Sequence, residues 1–370
     1  MSMYALQVMT GMEAEITRKL RGKGVDARCL QERRMIRRGG KWQEQLYTLF
    51  PSYIFVSTPD VYRVYYAVCH EDGVLHWLGA TKGTPEALSA HEEANILWLA
   101  GDGPLPPSEA EMQADGTLDI NKMLDAVDKN TILVACMMVN NEVGTRNDVE
   151  RLAAEVKHRN SRTIVHVDAV QAWMRVPIKL ANIDTLAVSG HKIHAPKGIG
   201  ALYLSDSLYQ AFQAPYLGGE QEREKRPGTE NLPYALGLAA AATRLNKTMK
   251  SRDAAVRALN LRLREGLKAF PEVVINSPDN AVPEVLNFSE NCIKSETMLA
   301  HLAQQQVYVS SASACGRGQP SHTLAAMGRD PLAIDTAIRV SFCADNTPED
   351  VDAFLNAFED GMKHLQRIKK

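Results

Sequence analysis

The sequence predicts an α/β protein made of two unlike pieces, and three observations carry that reading. The cluster Pro104-Leu105-Pro106-Pro107 breaks both helical and strand periodicity, and amphipathic patterning resumes only near Leu118. Ahead of the cluster, short aromatic and β-branched runs mix with helical stretches. Behind it, apolar strand-like runs alternate with helical ones, the pattern of a mostly parallel sheet whose strand-end loops carry the site.

The first piece reads β-α-β-β-α-α. Tyr4-Ala5-Leu6-Gln7-Val8 predicts a strand, and residues 12–20 place apolar groups at helical spacing before the stop Gly22-Lys23-Gly24. Phe50-Pro51-Ser52-Tyr53-Ile54-Phe55-Val56 predicts a second strand, and residues 87–99 a closing helix. Between Arg18 and Lys41 cations outnumber Asp26 and Glu32, so this stretch reads either as a phosphate-neutralising surface or as a solvated loop. No aromatics alternate with its arginines, which argues against base stacking.

In the second piece, residues 131–139 form a continuous apolar run, as a strand buried on both faces requires. Residues 151–158 predict a helix. Strands are expected at 163–167, 185–188 and 200–204. A long Ala-rich helix starts near Pro233, and an amphipathic helix over 347–366 closes the chain.

Composition excludes several classes. The chain has 370 residues, 45% hydrophobic and 23% charged, with formal net charge −2, so no global pull toward nucleic acid or membrane is expected. No apolar run is long enough to cross a bilayer, and the start lacks a basic segment followed by an apolar one. Cys29, Cys69, Cys136, Cys292, Cys315 and Cys343 are scattered without a C-x-x-C pair, which disfavours zinc and disulfides and fits a reducing cytoplasm.

The chemistry concentrates in the second piece. Ser189-Gly190-His191-Lys192 follows His166-Val167-Asp168-Ala169-Val170-Gln171. That set suits an aldehyde cofactor with a pyridine ring. Lys192 would form the Schiff base, Asp168 would keep the ring nitrogen protonated, and Ser189 and His191 would meet a phosphate. Asn140-Asn141-Glu142-Val143-Gly144-Thr145 closes the first strand, where a side-chain amide can reach a ring hydroxyl. Residues 223–231, around Arg226 and Thr229, offer cations and a hydroxyl on a glycine turn. Residues 310–318 set Cys315 among small residues beside Arg317, where a thiolate can form and attack. Arg339 in Ala337-Ile338-Arg339-Val340-Ser341 is an arginine in an apolar strand, which signals a bound carboxylate. Cys136 reads as core, Cys292 and Cys343 have no activating neighbours, and His194 and His322 read as structural or exposed.

Both pieces resemble known families. Tyr4-Ala5-Leu6-Gln7-Val8 with Gly11-x-Glu13, and Leu49-Phe50-Pro51-Ser52-Tyr53-Ile54-Phe55-Val56, resemble the N-terminal domain of the NusG transcription factors, in particular the antiterminator branch, over residues 1–108. The resemblance implies docking on RNA polymerase. The six motifs of the second piece, in order from about residue 116 to the end, are similar to those of the NifS/IscS-like cysteine desulfurases of the class V aminotransferase family. The implied architecture is a NusG-type α/β domain over residues 1–108 and a linker over 109–115. An incomplete fold type I large domain binding pyridoxal 5'-phosphate follows over 116–245, and then a small C-terminal α/β domain with the catalytic cysteine loop over 246–370.

The second resemblance implies Lys192 and Cys315 as catalytic residues. It implies Asn141, Asp168, Gln171, Ser189, His191 and Thr229 around pyridoxal 5'-phosphate, with Thr229 serving across a homodimer interface. Asn141 and Arg339 would bind the substrate L-cysteine, which leaves as L-alanine once its sulfur sits on Cys315 as a persulfide for an acceptor protein. Residues 1–110 hold no counterpart of the family's opening segment, with its phosphate cradle at a helix N-terminus and its ring-stacking histidine. That loss is expected to weaken cofactor retention. The other readings are a NusG-like elongation or antitermination factor whose desulfurase remnant is inactive and serves dimerisation or redox sensing, and a fusion with neither full activity.

Overall fold

The computed structural model describes residues 2–38, 41–79, 81, 84–89, 92–93, 96–97, 99, 112–129, 131–212, 214, 218–311 and 320–368. They fall into two units, Met1–Ser108 and Glu109–Lys370.

In the amino-terminal unit, β1 (Ser2–Val8) lies inside an antiparallel sheet of order β2-β5-β1-β6, with β2 at Asp26–Arg28, β5 at Tyr53–Thr58 and β6 at Val74–Trp77. Helices α1 (Glu13–Gly22) and α2 (Val61–Val68) bury Ile16, Leu20, Val61, Val64 and Val68 with Leu6, Val8, Ile54, Val56 and Trp77 of the sheet. Met3, Ala5, Leu30, Phe55 and Ile96 form a second cluster. The strand count exceeds the expected one. The stretch 31–48 is a β-hairpin, β3 (Gln31–Arg38) paired with β4 (Lys41–Thr48) from Gln31↔Thr48 to Arg38↔Lys41. Its sequence is too polar for hydrophobic alternation to reveal. The basic stretch is also partly neutralised: Lys19 meets Glu15 at 3.0 Å, Lys23 pairs with Glu71, and Arg28 meets Asp26 at 3.0 Å. Of the expected helix 87–99, residues 92–93, 96–97 and 99 are helical, but Ala87 bridges Tyr4 and the Leu88 amide donates to Met3, so the stretch begins by extending the sheet. Residues 101–111, including the proline cluster, lie outside the described residues.

In the second unit the main sheet has the order β10-β9-β8-β7. Strands β7 (Leu133–Met137), β8 (Ile164–Asp168) and β9 (Thr185–Ser189) are parallel, and β10 (Gly200–Leu204) runs antiparallel to β9. Two short helices feed this layer. They are α3 (Ile120–Asp125) and α4 (Val149–Arg159), the latter started by the Asp148 carboxylate accepting the Arg151 amide. Val149, Leu152, Ala153 and Val156 of α4 pack on Val134, Cys136, Val165, Val167 and Leu186. The other face does not match the two-faced burial expected of residues 131–139. Leu133 is 53% exposed and Leu202 52% exposed.

Helix α5 (Leu232–Leu267) runs unbroken through residue 245, so the sheet layer and the C-terminal layer share an element. Its second half packs with α6 (Ser295–Gln304), α7 (Pro348–His364) and the antiparallel sheet β11-β12-β13 (Val274–Ile275, Val285–Ser289, Ala337–Ser341) around Phe288, Phe354 and Phe358. No helix among the described residues is long and apolar enough to cross a membrane.

The Gly11-x-Glu13 and Pro51-Ser52-Tyr53 phrases meet in space. The Glu13 carboxylate, 3% exposed, accepts from the Gly11 amide at 2.9 Å and the Ser52 amide at 2.7 Å, joining the turn before α1 to the turn before β5. Burial alone would raise its pKa, but the amides of Ser52, Glu13 itself and Gly11 outweigh it and hold the carboxyl below its ordinary 4.5. The folded value is therefore depressed. The stabilisation is full above the unfolded pKa and is lost as pH falls through the folded one. Glu13→Gln is expected to cost about 1–3 kcal/mol and to remove this acid dependence. Hydrogen exchange at residues 9–13 and 50–54 between pH 3 and 7 checks it, and unchanged protection would refute it.

Candidate active site

Three turns leave the carboxyl ends of β7, β8 and β9, and each carries residues expected at the site. After β7 the Asn140 side-chain oxygen accepts the amides of Glu142 at 2.8 Å and Val143 at 3.0 Å, and Gly144 takes φ +75°. Asn140 is thus the turn-former, and the neighbouring Asn141 is the residue presented. After β8, Asp168 Oδ1 accepts the Val170 amide at 2.8 Å, which ties it to its own turn, and Gln171 is 7% exposed. After β9 a single 3₁₀ turn, Gly190–Ile193, carries His191 and Lys192 and ends at His194 in the left-handed region. Ser189 Oγ lies 2.9 Å from His191 Nδ1.

One cleft of about 280 Å³ is lined by Asn141, Gln171, His191, Lys192 and Arg339, together with Arg175, His194, Glu284, Ser341 and Cys343. That size lies just below the usual range of small-molecule sites, roughly 300–1,000 Å³. Asp168 and Ser189 stand at the ends of β8 and β9 without lining it, and Thr229 is exposed on the loop before α5. Cys315 and Arg317 lie outside the described residues. The residues flanking that stretch are held by Arg339 of the cleft and by Glu142, the neighbour of Asn141. The Ser310 and Arg339 backbones exchange hydrogen bonds of 3.2 and 2.6 Å, and the Ser321 hydroxyl donates to the buried Glu142 carboxylate.

Arg339 reaches the cleft from β13. Its Nη1 donates to the Asn141 carbonyl at 2.8 Å, while its Nε is buried with no acceptor among the described residues. Burial holds this guanidinium below its ordinary range, with Glu142 pulling it back. An orphaned, desolvated donor is the state that a bound carboxylate would relieve. Cys136 is core as expected, its thiol pushed up to about 12 by burial, which makes it inert. Cys343 and His194 were expected to be bystanders, yet both line the cleft.

Residues 108–354 match the profile of the aminotransferase class-V family. The chain belongs to that family. Residues 1–97 match the transcription termination factor NusG. Among class-V relatives, a cysteine desulfurase of Nostoc sp. is 36% identical over 271 residues, 70% of this chain and 65% of the relative. One of Gluconacetobacter diazotrophicus is 39% identical over 251 residues, 66% of this chain and 62% of the relative. The chain thus spans less than two thirds of their length. A solved NifS-like protein is similar with a TM-score of 0.66 at 31% identity, covering 75% of this chain and 73% of that one.

The donor set fits pyridoxal phosphate, the cofactor of class-V enzymes: a lysine amine, amide and imidazole groups and a guanidinium Nε with no acceptor among the described residues share one cleft. Sequence reasoning missed Arg175, Glu142 and Glu284. For Arg175 the signal was there, since Trp173-Met174-Arg175-Val176 sets an arginine among apolar residues just as the Arg339 strand does. The two glutamates reveal themselves only by burial, at 8% and 6% exposure.

Gly190 sets the position of the turn that carries Lys192. A Cβ there would meet Ile199 Cγ2 at 2.8 Å, the Ile199 carbonyl oxygen at 3.0 Å and Leu238 Cδ1 at 3.1 Å. Gly190→Ala is expected to cost about 1–3 kcal/mol by overpacking and to displace Lys192. Urea unfolding of the variant checks this, and an unchanged midpoint would refute the tight fit.

Proposed function

We propose that the chain is a pyridoxal-phosphate-dependent cysteine desulfurase that converts L-cysteine to L-alanine and passes the sulfur through an enzyme persulfide to an acceptor protein. The observation that carries it is the shared cleft lined by both Lys192 and Arg339, whose Nε has no acceptor among the described residues. A substrate carboxylate on Arg339 would leave the Cα of an α-amino acid near the lysine amine.

When bound, pyridoxal phosphate supplies an electron sink for bond changes at Cα and Cβ. Lys192 would hold the aldehyde and move the Cα proton. The Asp168 carboxylate would hold the proton on the ring nitrogen. Gln171 and Asn141 would face the ring oxygen, and Ser189 and His191 the phosphate. Thr229, exposed here, would serve the phosphate of a second subunit in a homodimer. Cys315 would form a bond to the substrate sulfur as the Cβ–S bond breaks. The electron pair left on carbon takes up a proton, and alanine leaves.

The test is the visible spectrum of the full chain titrated with pyridoxal phosphate, beside Lys192→Ala. A band that vanishes in the variant is expected, with sulfide release from cysteine lost in Cys315→Ser. Absence of a Lys192-dependent band would overturn the enzyme reading.

A second reading concerns the amino-terminal unit. The NusG match and the aromatic face of α2, where Tyr62 is 62% and Tyr66 72% exposed, favour a protein-docking role. RNA polymerase is the partner that this reading names. Co-elution with purified polymerase, weakened at least tenfold by Tyr62→Ala with Tyr66→Ala, is the expected outcome. Binding unchanged by that pair would remove the helix from the interface.

A further inference from the structure

We propose that Arg175 is a positioning residue that turns the Gln171 amide so that its NH2 group donates toward the cofactor's ring oxygen, and that ties this amide to the turn bearing Lys192. This rests on the cofactor reading above and adds a residue to it.

Arg175 Nη1 donates to Gln171 Oε1 at 2.6 Å. A guanidinium has donors only, so the amide oxygen must be the atom that faces it. The ambiguity that usually attends a glutamine amide is thereby removed. Gln171 lines the cleft and is 7% exposed, so what it can offer a ligand there is a donor, Nε2. Two longer contacts, both 3.4 Å, run from Arg175 Nη1 to the Gln171 carbonyl and from Nη2 to the Lys192 carbonyl. One rigid fork thus spans the turns after β8 and β9.

The guanidinium sits in a crowded field. Arg175, Lys192, His194, Arg252, Glu284 and Cys343 line a hollow of about 30 Å³, and His191 and Arg339 share the larger cleft with Arg175. Burial holds Arg175 below its ordinary range, Glu284 opposes that, and Arg252 and Arg339 add to it. A cation kept there against such a cost, on two turns at once, argues for a role in arranging them.

A donor facing the ring oxygen favours its ionised form and keeps the pH midpoint of the cofactor's visible band low. Three variants test this in the full chain: Arg175→Met, Gln171→Ala and Gln171→Glu. The last keeps a partner for Arg175 and removes only the NH2 donor. Each is expected to raise the midpoint by roughly one pH unit, tenfold in the proton equilibrium. The Arg175→Met, Gln171→Ala double variant should rise no further than Gln171→Ala alone. Arg175→Lys, which retains one donor, should recover part of the shift. Thermal melts followed by circular dichroism identify any variant that has lost its fold, and Gln171→Glu then carries the test. A midpoint unmoved in Gln171→Glu, or fully additive shifts in the double variant, would overturn the proposal. Absence of any Lys192-dependent band in the unsubstituted chain is a different failure, which removes the cofactor reading and this inference with it.

Discussion

The chemistry of the second unit hangs on the parallel pairing of β7, β8 and β9. Met137 pairs with Asp168 and Asp168 with Ala187, so β7 and β8 end at one level and β9 continues past it to Ser189. The Met138 amide continues the ladder to the Asp168 carbonyl at 2.9 Å, and the Ala169 amide to the Ala187 carbonyl at 3.0 Å. Turns leaving these strand ends bring Asn141, Gln171 and Lys192 to one cleft. A slip of one residue would send every side chain of a strand to the opposite face. The register is held by the apolar side chains of β7 and β8 that lock under α4.

That cleft gathers cations at some cost. Lys192, Arg175 and Arg339 line it, with Glu284 as the buried carboxylate among them. Desolvating such groups is unfavourable unless each finds hydrogen bonds. Carbonyls of Asn141, Gln171 and Lys192 meet the two arginines, yet Arg339 Nε and Glu284 Oε2 remain unmatched among the described residues. The cavity thus keeps one unmatched donor and one unmatched acceptor among the described residues.

Glu142 joins the site to the C-terminal layer. Its buried carboxylate takes the Ser321 hydroxyl, whose oxygen also accepts the Leu324 amide at 3.0 Å. Arg339 holds the other flank through Ser310. One flank of the stretch bearing Cys315 is thus held by Arg339 of the cleft, and the other by Glu142, the neighbour of Asn141.

Much of this was legible because the chemistry demands particular side chains at short spacing. Lys192 after Ser189 and His191, Asp168 three residues before Gln171, and an arginine alone in an apolar strand can be read without coordinates. The polar hairpin 31–48 could not be, since its strands bury too little to alternate. Nor could the open face of β7, because an apolar run looks the same whether one face or both are covered. Residue type and local spacing determined the class-V and NusG motifs, the long helix α5 and the turn that carries Lys192. The tertiary structure alone decided that Arg175 reaches the Lys192 turn, that Glu284 is buried at the cleft and Glu142 near Arg339, and that Arg339 Nε has no acceptor among the described residues. Those facts arise from strands and loops far apart in sequence meeting at one end of the sheet, and local pattern carries no information about such distances.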